Sequence, residues 1–259
     1  MPGADRRHAI TRLRREPRRR TLTVASIEPL GGSLRRIRFT GDDLGDFESD
    51  APDDHVKLFL PGSQEDGRPT MRDYTPRAFD RAEGTITIDF ALHGDGDEIG
   101  PATAWALAAV VGDAIQIGGP RGSTIVRDDF DWYLLIGDES AIPAISRRIE
   151  ELRRDAAVLA IVSVLEGDQP PIMPDHPGLA LRWSPRTVAA DGGAGLLATL
   201  AEVSPPDGDG FVWIAAEAAA ARAARAFVAS ELDHPGEWIK ASGYWLAGAR
   251  GTHAKIGEE

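Results

Sequence analysis

Within the stretch Met71-Arg72-Asp73-Tyr74-Thr75-Pro76, four residues set out a fixed cation, an aromatic ring and a hydroxyl. On a β-strand the side-chain period is two, so Arg72 and Tyr74 share one face and Asp73 and Thr75 the other. Strand twist and Pro76 can bring Thr75 round toward the same ligand. A guanidinium donates in pairs and suits a phosphate. A tyrosine ring offers a stacking surface. A threonine hydroxyl bonds a heteroaromatic edge. Together they fit a molecule carrying a diphosphate and a flat ring system. The same four residues also fit an ordinary strand with one surface arginine, so the surrounding elements must decide.

Those elements are strands. Thr21–Glu28, Leu34–Thr40, His55–Leu60, the Arg72–Thr75 stretch, Thr85–Leu92 and Ala114–Ile117 are short, β-rich and separated by turn signals such as Pro29-Leu30-Gly31-Gly32. This pattern predicts a six-stranded antiparallel barrel. Ser63–Thr70 reads as a polar, mobile loop. One helix interrupts the pattern. After the glycine- and acid-rich His93–Gly100, Pro101-Ala102-Thr103-Ala104-Trp105-Ala106-Leu107 has proline where a helix tolerates it, in the first turn. A helix start leaves N–H groups free to face an anion, with Thr103 adding a hydroxyl. The alternative is a plain connecting helix whose Trp105 and Leu107 fill the core.

Beyond Arg127–Asp131 the period changes. Trp132–Ile136, Ala157–Leu165, Leu179–Trp183, Phe211–Ala215 and Glu237–Trp245 read as strands, with helices over Ala141–Arg153, Asp191–Val203 and Glu217–Leu232. Strand–helix alternation predicts a parallel, doubly wound Rossmann-like sheet. The expected organisation is a basic arm over residues 1–20, a cofactor-binding barrel over 21–127 and a nucleotide-binding α/β domain over 128–259. A flavin on the barrel with a nicotinamide cofactor on the second domain is the chemistry this pairing suits.

The totals narrow the field. The chain has 259 residues and no cysteine, which excludes disulfides, thiol catalysis and iron–sulfur ligation by cysteine. Its six histidines lack ligand spacing, so no protein-bound metal is expected. Residues 1–20 hold eight arginines against two carboxylates, a net of +6 that leaves −18 for the rest of a chain at −12. The arm reads as disordered or fraying. The acidic body argues against nucleic-acid binding. There is no membrane-spanning run and no signal peptide, so a cytoplasmic monomer is expected.

In order along residues 21–250, Asp54-His55-Val56-Lys57-Leu58, Arg72-Asp73-Tyr74-Thr75, Asp89-Phe90-Ala91-Leu92-His93-Gly94, Gly100-Pro101-Ala102-Thr103-Ala104-Trp105-Ala106, Gly119-Pro120-Arg121-Gly122-Ser123, Leu135-Ile136-Gly137-Asp138-Glu139-Ser140, Trp213-Ile214-Ala215-Ala216-Glu217-Ala218 and Gly243-Tyr244-Trp245 follow one family's pattern. The chain resembles the siderophore-interacting flavoproteins, ferric-siderophore reductases related to the ferredoxin reductases. The resemblance implies FAD, with NAD(P)H or a reduced ferredoxin as electron donor. It places Arg72, Tyr74 and Thr75 on the diphosphate, the ring face and the ring edge. Asp89, Phe90 and His93 line the adenine or ribose side. Gly100, Ala102 and Thr103 close on the diphosphate. Tyr244 and Trp245 return from the second domain to the flavin. It implies flavin chemistry without a protein acid or base.

Two departures carry consequences. The turn after the first parallel strand, Gly137-Asp138-Glu139-Ser140, is acidic where a dinucleotide fingerprint places glycines. It shares this with the family, and it implies that the nicotinamide nucleotide docks elsewhere or that ferredoxin is the donor. Arginines that commonly follow Tyr244-Trp245 in the family are replaced by Leu246-Ala247-Gly248. Lys57, Arg121, Lys240 and Arg250 are then the cations expected to meet a ferric-siderophore, and a weak basic patch suits a less anionic, hydroxamate-type ligand. The other readings are a flavin reductase serving another acceptor and a non-enzymatic siderophore-binding protein.

Overall fold

The computed structural model describes residues 7–63, 69–92, 99–187, 191–247 and 254–256. In chain order the first half holds β1 (Ile10–Arg14), β2 (Arg19–Leu30), β3 (Leu34–Thr40), β4 (Val56–Ser63), β5 (Pro69–Tyr74), β6 (Ala78–Asp80), β7 (Thr85–Ala91), α1 (Pro101–Ala108), β8 (Ala114–Gly118) and β9 (Gly122–Val126). Seven of these strands form one antiparallel sheet in the order β5-β4-β8-β2-β3-β7-β6. It coils round a single core. Leu22 and Val24, Ile37 and Phe39, Val56, Leu58 and Leu60, Ile86, Ile88 and Phe90, and Ile115 and Ile117 all turn inward at period two. Each such side chain contributes about 1.5–3 kcal/mol by leaving water. α1 plugs this barrel with Ala102 and Ala106, and Trp105 stacks over Phe39 at 6.3 Å.

The second half holds β10 (Trp132–Asp138), α2 (Ile142–Glu151), β11 (Ala157–Leu165), β12 (Leu179–Arg186), α3 (Ala194–Ala201), β13 (Gly210–Glu217), α4 (Ala218–Ser230), β14 (Ile239–Trp245) and β15 (Ala254–Ile256). The strand order is β12-β11-β10-β13-β14, all parallel, with β15 antiparallel at the edge. Every residue of β10 is buried, as a central parallel strand requires. Tyr133 and Leu135 face α2, while Trp132, Leu134 and Ile136 face α3 and α4. Gly137 permits the close approach behind the first turn: a Cβ there would lie 2.5 Å from the Ala141 Cβ and 2.7 Å from the Ala215 carbonyl.

The basic arm differs from its expectation. Ile10–Arg14 form β1, paired along its length with β9, and Arg19 and Arg20 already belong to β2. The reason lies in the acidic loop after β3. Arg15 pairs with Glu48 at 3.0 Å and with Asp50, Arg18 with Asp43 at 3.1 Å and Asp46 at 2.5 Å, and Arg20 with Asp46 at 2.9 Å. At its start, the His8 ring stacks on Phe130 at 4.0 Å and reaches Asp129 and Asp209 at 3.1 and 3.0 Å. Opposite charges far apart in sequence therefore order the arm. β6 and β15 are three residues each and carry no periodic signal. Of the predicted polar loop, Ser63 closes β4 and residues 69–70 open β5; residues 64–68 lie outside the described ones.

Candidate cofactor site and the domain seam

Arg72 and Tyr74 stand opposite Leu58 and Val56 of β4, on the face that turns toward the barrel core. Asp73 faces the other way and holds the Lys57 ammonium at 2.8 and 3.0 Å. The Arg72 guanidinium is half-buried and donates to the Met71 carbonyl at 2.8 Å. The Tyr74 ring packs on Phe90 at 4.5 Å, and Phe90 on Trp105 at 5.6 Å. This aromatic run ties β5, β7 and α1 together. Burial pushes the Tyr74 phenol well above its ordinary value, against a smaller opposing pull from Arg72, so it stays protonated.

α1 begins at Gly100, in extended conformation, with Pro101 in the first turn. No described side chain caps it, and no acidic residue stands in its first turn. Among the described residues a Cβ on Gly100 would meet nothing within 4 Å. Ala102 and Thr103 are buried beside it. A helix N-terminus offers backbone N–H donors and the positive end of a helix dipole. With Arg72, this donor set suits a diphosphate.

The parallel domain presents the opposite arrangement. Asp191 accepts from the backbone of Gly193 and Gly195 at the start of α3, at 2.8 and 3.2 Å. Glu217 accepts from Ala219 and Ala220 at the start of α4, at 2.6 and 3.1 Å. Asp138 accepts from the Ser140 backbone at 3.0 Å. Glu139 forms a buried pair with Arg186 at 2.7 Å and accepts from the Leu165 N–H at 3.1 Å. Asp138, Arg186, Asp191 and Glu217 line a small crevice at the carboxyl ends of the strands. At this usual dinucleotide position, carboxylates already occupy the donors a diphosphate would need.

Tyr244 of β14 crosses back toward the barrel, while Trp245 stays in the parallel domain's own turn. The Tyr244 hydroxyl lies beside that of Thr75, and its ring meets Trp213 edge-on at 6.1 Å. Burial, with Asp53 adding to it, raises the Tyr244 phenol far above its ordinary value. The Trp245 indole donates to Asp138 at 2.8 Å. From α2, the buried Arg147 donates to the carbonyl of Pro76 and to the Ser49 hydroxyl, both at 2.9 Å. Arg77 forms a two-pronged pair with Glu150 at 2.8 and 2.6 Å. The strand end Thr75-Pro76-Arg77 is thus gripped by the second domain from three points.

The sequence-predicted residues fall into groups. Tyr74 and Phe90 reach α1, which carries Ala102 and Thr103 after Gly100, Arg72 lies two residues before Tyr74 on β5, and Thr75 lies beside Tyr244 at the seam. Asp89 is buried, with both oxygens held by Arg36 at 2.7 and 2.8 Å. Lys57 and Lys240 are each in ion pairs, with Asp73 and Asp53. Arg121 is exposed between β8 and β9. His93 and Arg250 lie outside the described residues. Sequence reasoning missed Asp53 and Arg147, and it quoted Trp213 only as part of a family segment. All three make contacts across the seam, and nothing in the local sequence marks those contacts.

Comparison with known proteins places the chain in one family. A model of the siderophore-interacting protein domain matches residues 130–248, and one of the siderophore-interacting FAD-binding domain matches residues 23–67 and 62–124. An Escherichia coli NADPH-dependent ferric-chelate reductase is 35% identical over 256 residues, covering 91% of this chain and 96% of its own. The crystal structure of a siderophore utilization protein from T. fusca is 32% identical, superposes with a TM-score of 0.83 and covers 94% of this chain and 98% of its own. That of the siderophore-interacting protein SipS from Aeromonas hydrophila is 29% identical with a TM-score of 0.75, covering 90% and 93%.

Proposed function

The chain belongs to the siderophore-interacting protein family, and from that premise we propose that it is a FAD-dependent reductase of ferric-siderophores acting in the cytoplasm. When bound, FAD would supply the redox chemistry, hydride acceptance from NAD(P)H and single-electron donation to the Fe(III) of the substrate. The chain's own residues bind and orient. The observation that carries the reading is the asymmetry of helix starts. No described side chain caps α1 in the barrel, while α3 and α4 are capped by carboxylates.

On this reading Arg72 and the α1 start, Gly100 with Ala102 and Thr103, hold the diphosphate. Tyr74 lies on the ring system and Thr75 at its polar edge. Asp89, through its fixed pair with Arg36, Phe90 and His93 shape the adenine or ribose side. Tyr244 and Trp245 cover the flavin from the second domain and exclude water. The buried phenols of Tyr74 and Tyr244 remain neutral through the working pH range, so neither adds charge beside the ring. Arg121 and Arg250 supply the cations that meet the siderophore, with Lys57 and Lys240 contributing only what their carboxylate partners leave.

The reading is tested by reconstituting the protein with FAD and following its anaerobic spectrum with NADPH, NADH and reduced ferredoxin in turn. Bleaching by a nicotinamide nucleotide is expected. A protein that stays colourless after FAD addition overturns it, and bleaching by ferredoxin alone overturns the choice of donor.

A further inference from the structure

The acidic turn after β10 has no part in the function just described, yet its first carboxylate is held on both oxygens. Asp138 is buried and accepts four hydrogen bonds. One oxygen takes the Ser140 N–H at 3.0 Å and the Ser140 hydroxyl at 2.5 Å. The other takes the Glu217 N–H and the Trp245 indole, both at 2.8 Å. Glu217, at the same end of the neighbouring strand β13, accepts from the Ala247 N–H at 3.3 Å with its second oxygen. Two carboxylates on adjacent strands therefore hold the chain at two points as it leaves β14.

Between those strands the register slips. Ala216 stands opposite Gly243, but Glu217 stands opposite Trp245. Tyr244 is the extra residue of a β-bulge. A bulge leaves one residue unpaired and re-aims its side chain. Here the re-aimed side chain carries its hydroxyl to Thr75 and its ring to Trp213. Without an anchor beyond it, nothing in the ladder fixes the slip, since a regular pairing of β13 with β14 would satisfy the same backbone groups and turn Tyr244 elsewhere.

We propose that Asp138 is a positioning residue: by binding the Trp245 indole it locks the bulge at Tyr244 and so aims the Tyr244 hydroxyl at Thr75 and the flavin edge. The turn that in a dinucleotide-binding sheet receives a diphosphate is used in this chain to hold an aromatic strand. The inference rests on the placement of FAD beside Thr75 and Tyr244 argued above.

The test uses full-length protein reconstituted with FAD, with affinity and the visible circular dichroism of the bound flavin as readouts. Trp245→Phe keeps the ring and removes the indole donor. Asp138→Asn sets one acceptor oxygen against four donors. Each is expected to lower FAD affinity by about tenfold, the scale of a lost hydrogen bond to a charged group, and to change the flavin dichroism. In a Tyr244→Phe background both losses shrink, because the three changes break one chain of contacts. Ser140→Ala, which touches the same carboxylate but not the aromatic strand, leaves affinity and dichroism unchanged. Wild-type affinity and dichroism in Trp245→Phe, or losses that multiply fully with Tyr244→Phe, overturn the proposal, as does a Ser140→Ala effect equal to that of Asp138→Asn. Failure of the wild type itself to bind FAD overturns the functional reading instead.

Discussion

The Lys240 ammonium lies 2.6 Å from the Asp53 carboxylate, which joins β14 of the parallel domain to the loop entering β4 of the barrel. The Trp213 indole donates to the same oxygen at 3.2 Å. Burial would raise the Asp53 carboxyl, but Lys240 and Trp213 outweigh it and hold it below the usual carboxylate range. A cation that reads from sequence as a ligand contact is thereby part of the domain seam. Lys240→Met leaves Asp53 buried without its partner and is expected to cost about 2 kcal/mol. The sign with pH follows from the depressed carboxyl. Its stabilisation is full above the ordinary carboxylate value, about 3.9, and is lost as pH falls through the lower folded value. In urea titrations, the gap between wild type and Lys240→Met should be widest at neutral pH and close under acid. A gap that is constant with pH would contradict the pairing.

Gly100→Asp tests the start of α1. Among the described residues the position has room for a side chain and an extended backbone that any residue adopts. Aspartate there caps α1, which should raise apoprotein stability by up to about 1 kcal/mol. It also places a carboxylate where the FAD diphosphate is proposed, so FAD affinity should fall at least about tenfold. Calorimetry of the apoprotein and equilibrium FAD binding give the two numbers. A variant with unchanged FAD affinity would move the diphosphate away from α1.

Arg72→Ala and Tyr74→Ala should separate binding from folding. Among the described residues Arg72 hydrogen-bonds only its neighbour's carbonyl, so its loss should weaken FAD retention about tenfold and leave the melting temperature nearly unchanged. Tyr74 packs on Phe90, so its loss should weaken FAD retention and lower the melting temperature together. Unchanged flavin content in both variants would show that the cofactor lies elsewhere.

Much of this was legible because it is local. Arg72-Asp73-Tyr74-Thr75 alternates as a strand must, and the Lys57–Asp73 pair on the far face follows from that alternation. Gly100-Pro101 marks a helix start in any sequence. The change from period-two strands to strand–helix alternation identifies the second domain and its doubly wound sheet. What stayed hidden depends on distant partners. The arm's arginines read as a solvated charge run until the acidic loop over residues 41–52 is folded against them. Asp53 and Arg147 are unremarkable in their own windows, Trp213 belongs to a family segment, and all three acquire these contacts only across the seam. The acidic turn was visible as unsuited to a diphosphate, but its use required the bulge at Tyr244, and a register slip leaves no trace in sequence.

The pairing of Lys57 and Lys240 bears on substrate choice. With two of four expected cations neutralised by Asp73 and Asp53, the surface offers little to a strongly anionic complex. We expect faster reduction of ferric hydroxamates than of ferric catecholates, measured as initial rates at equal concentration. A strong catecholate preference would contradict this.

The central claim is tested most directly by one anaerobic experiment. Protein carrying FAD is bleached with NADPH, freed of excess donor and mixed with a ferric-siderophore in the presence of an Fe(II)-specific chelator. The account predicts that the yellow flavin spectrum returns in step with the coloured Fe(II) chelate. Rapid bleaching followed by a flavin that stays reduced while Fe(III) remains in its siderophore would contradict it, and would mark the protein as a flavin reductase for another acceptor.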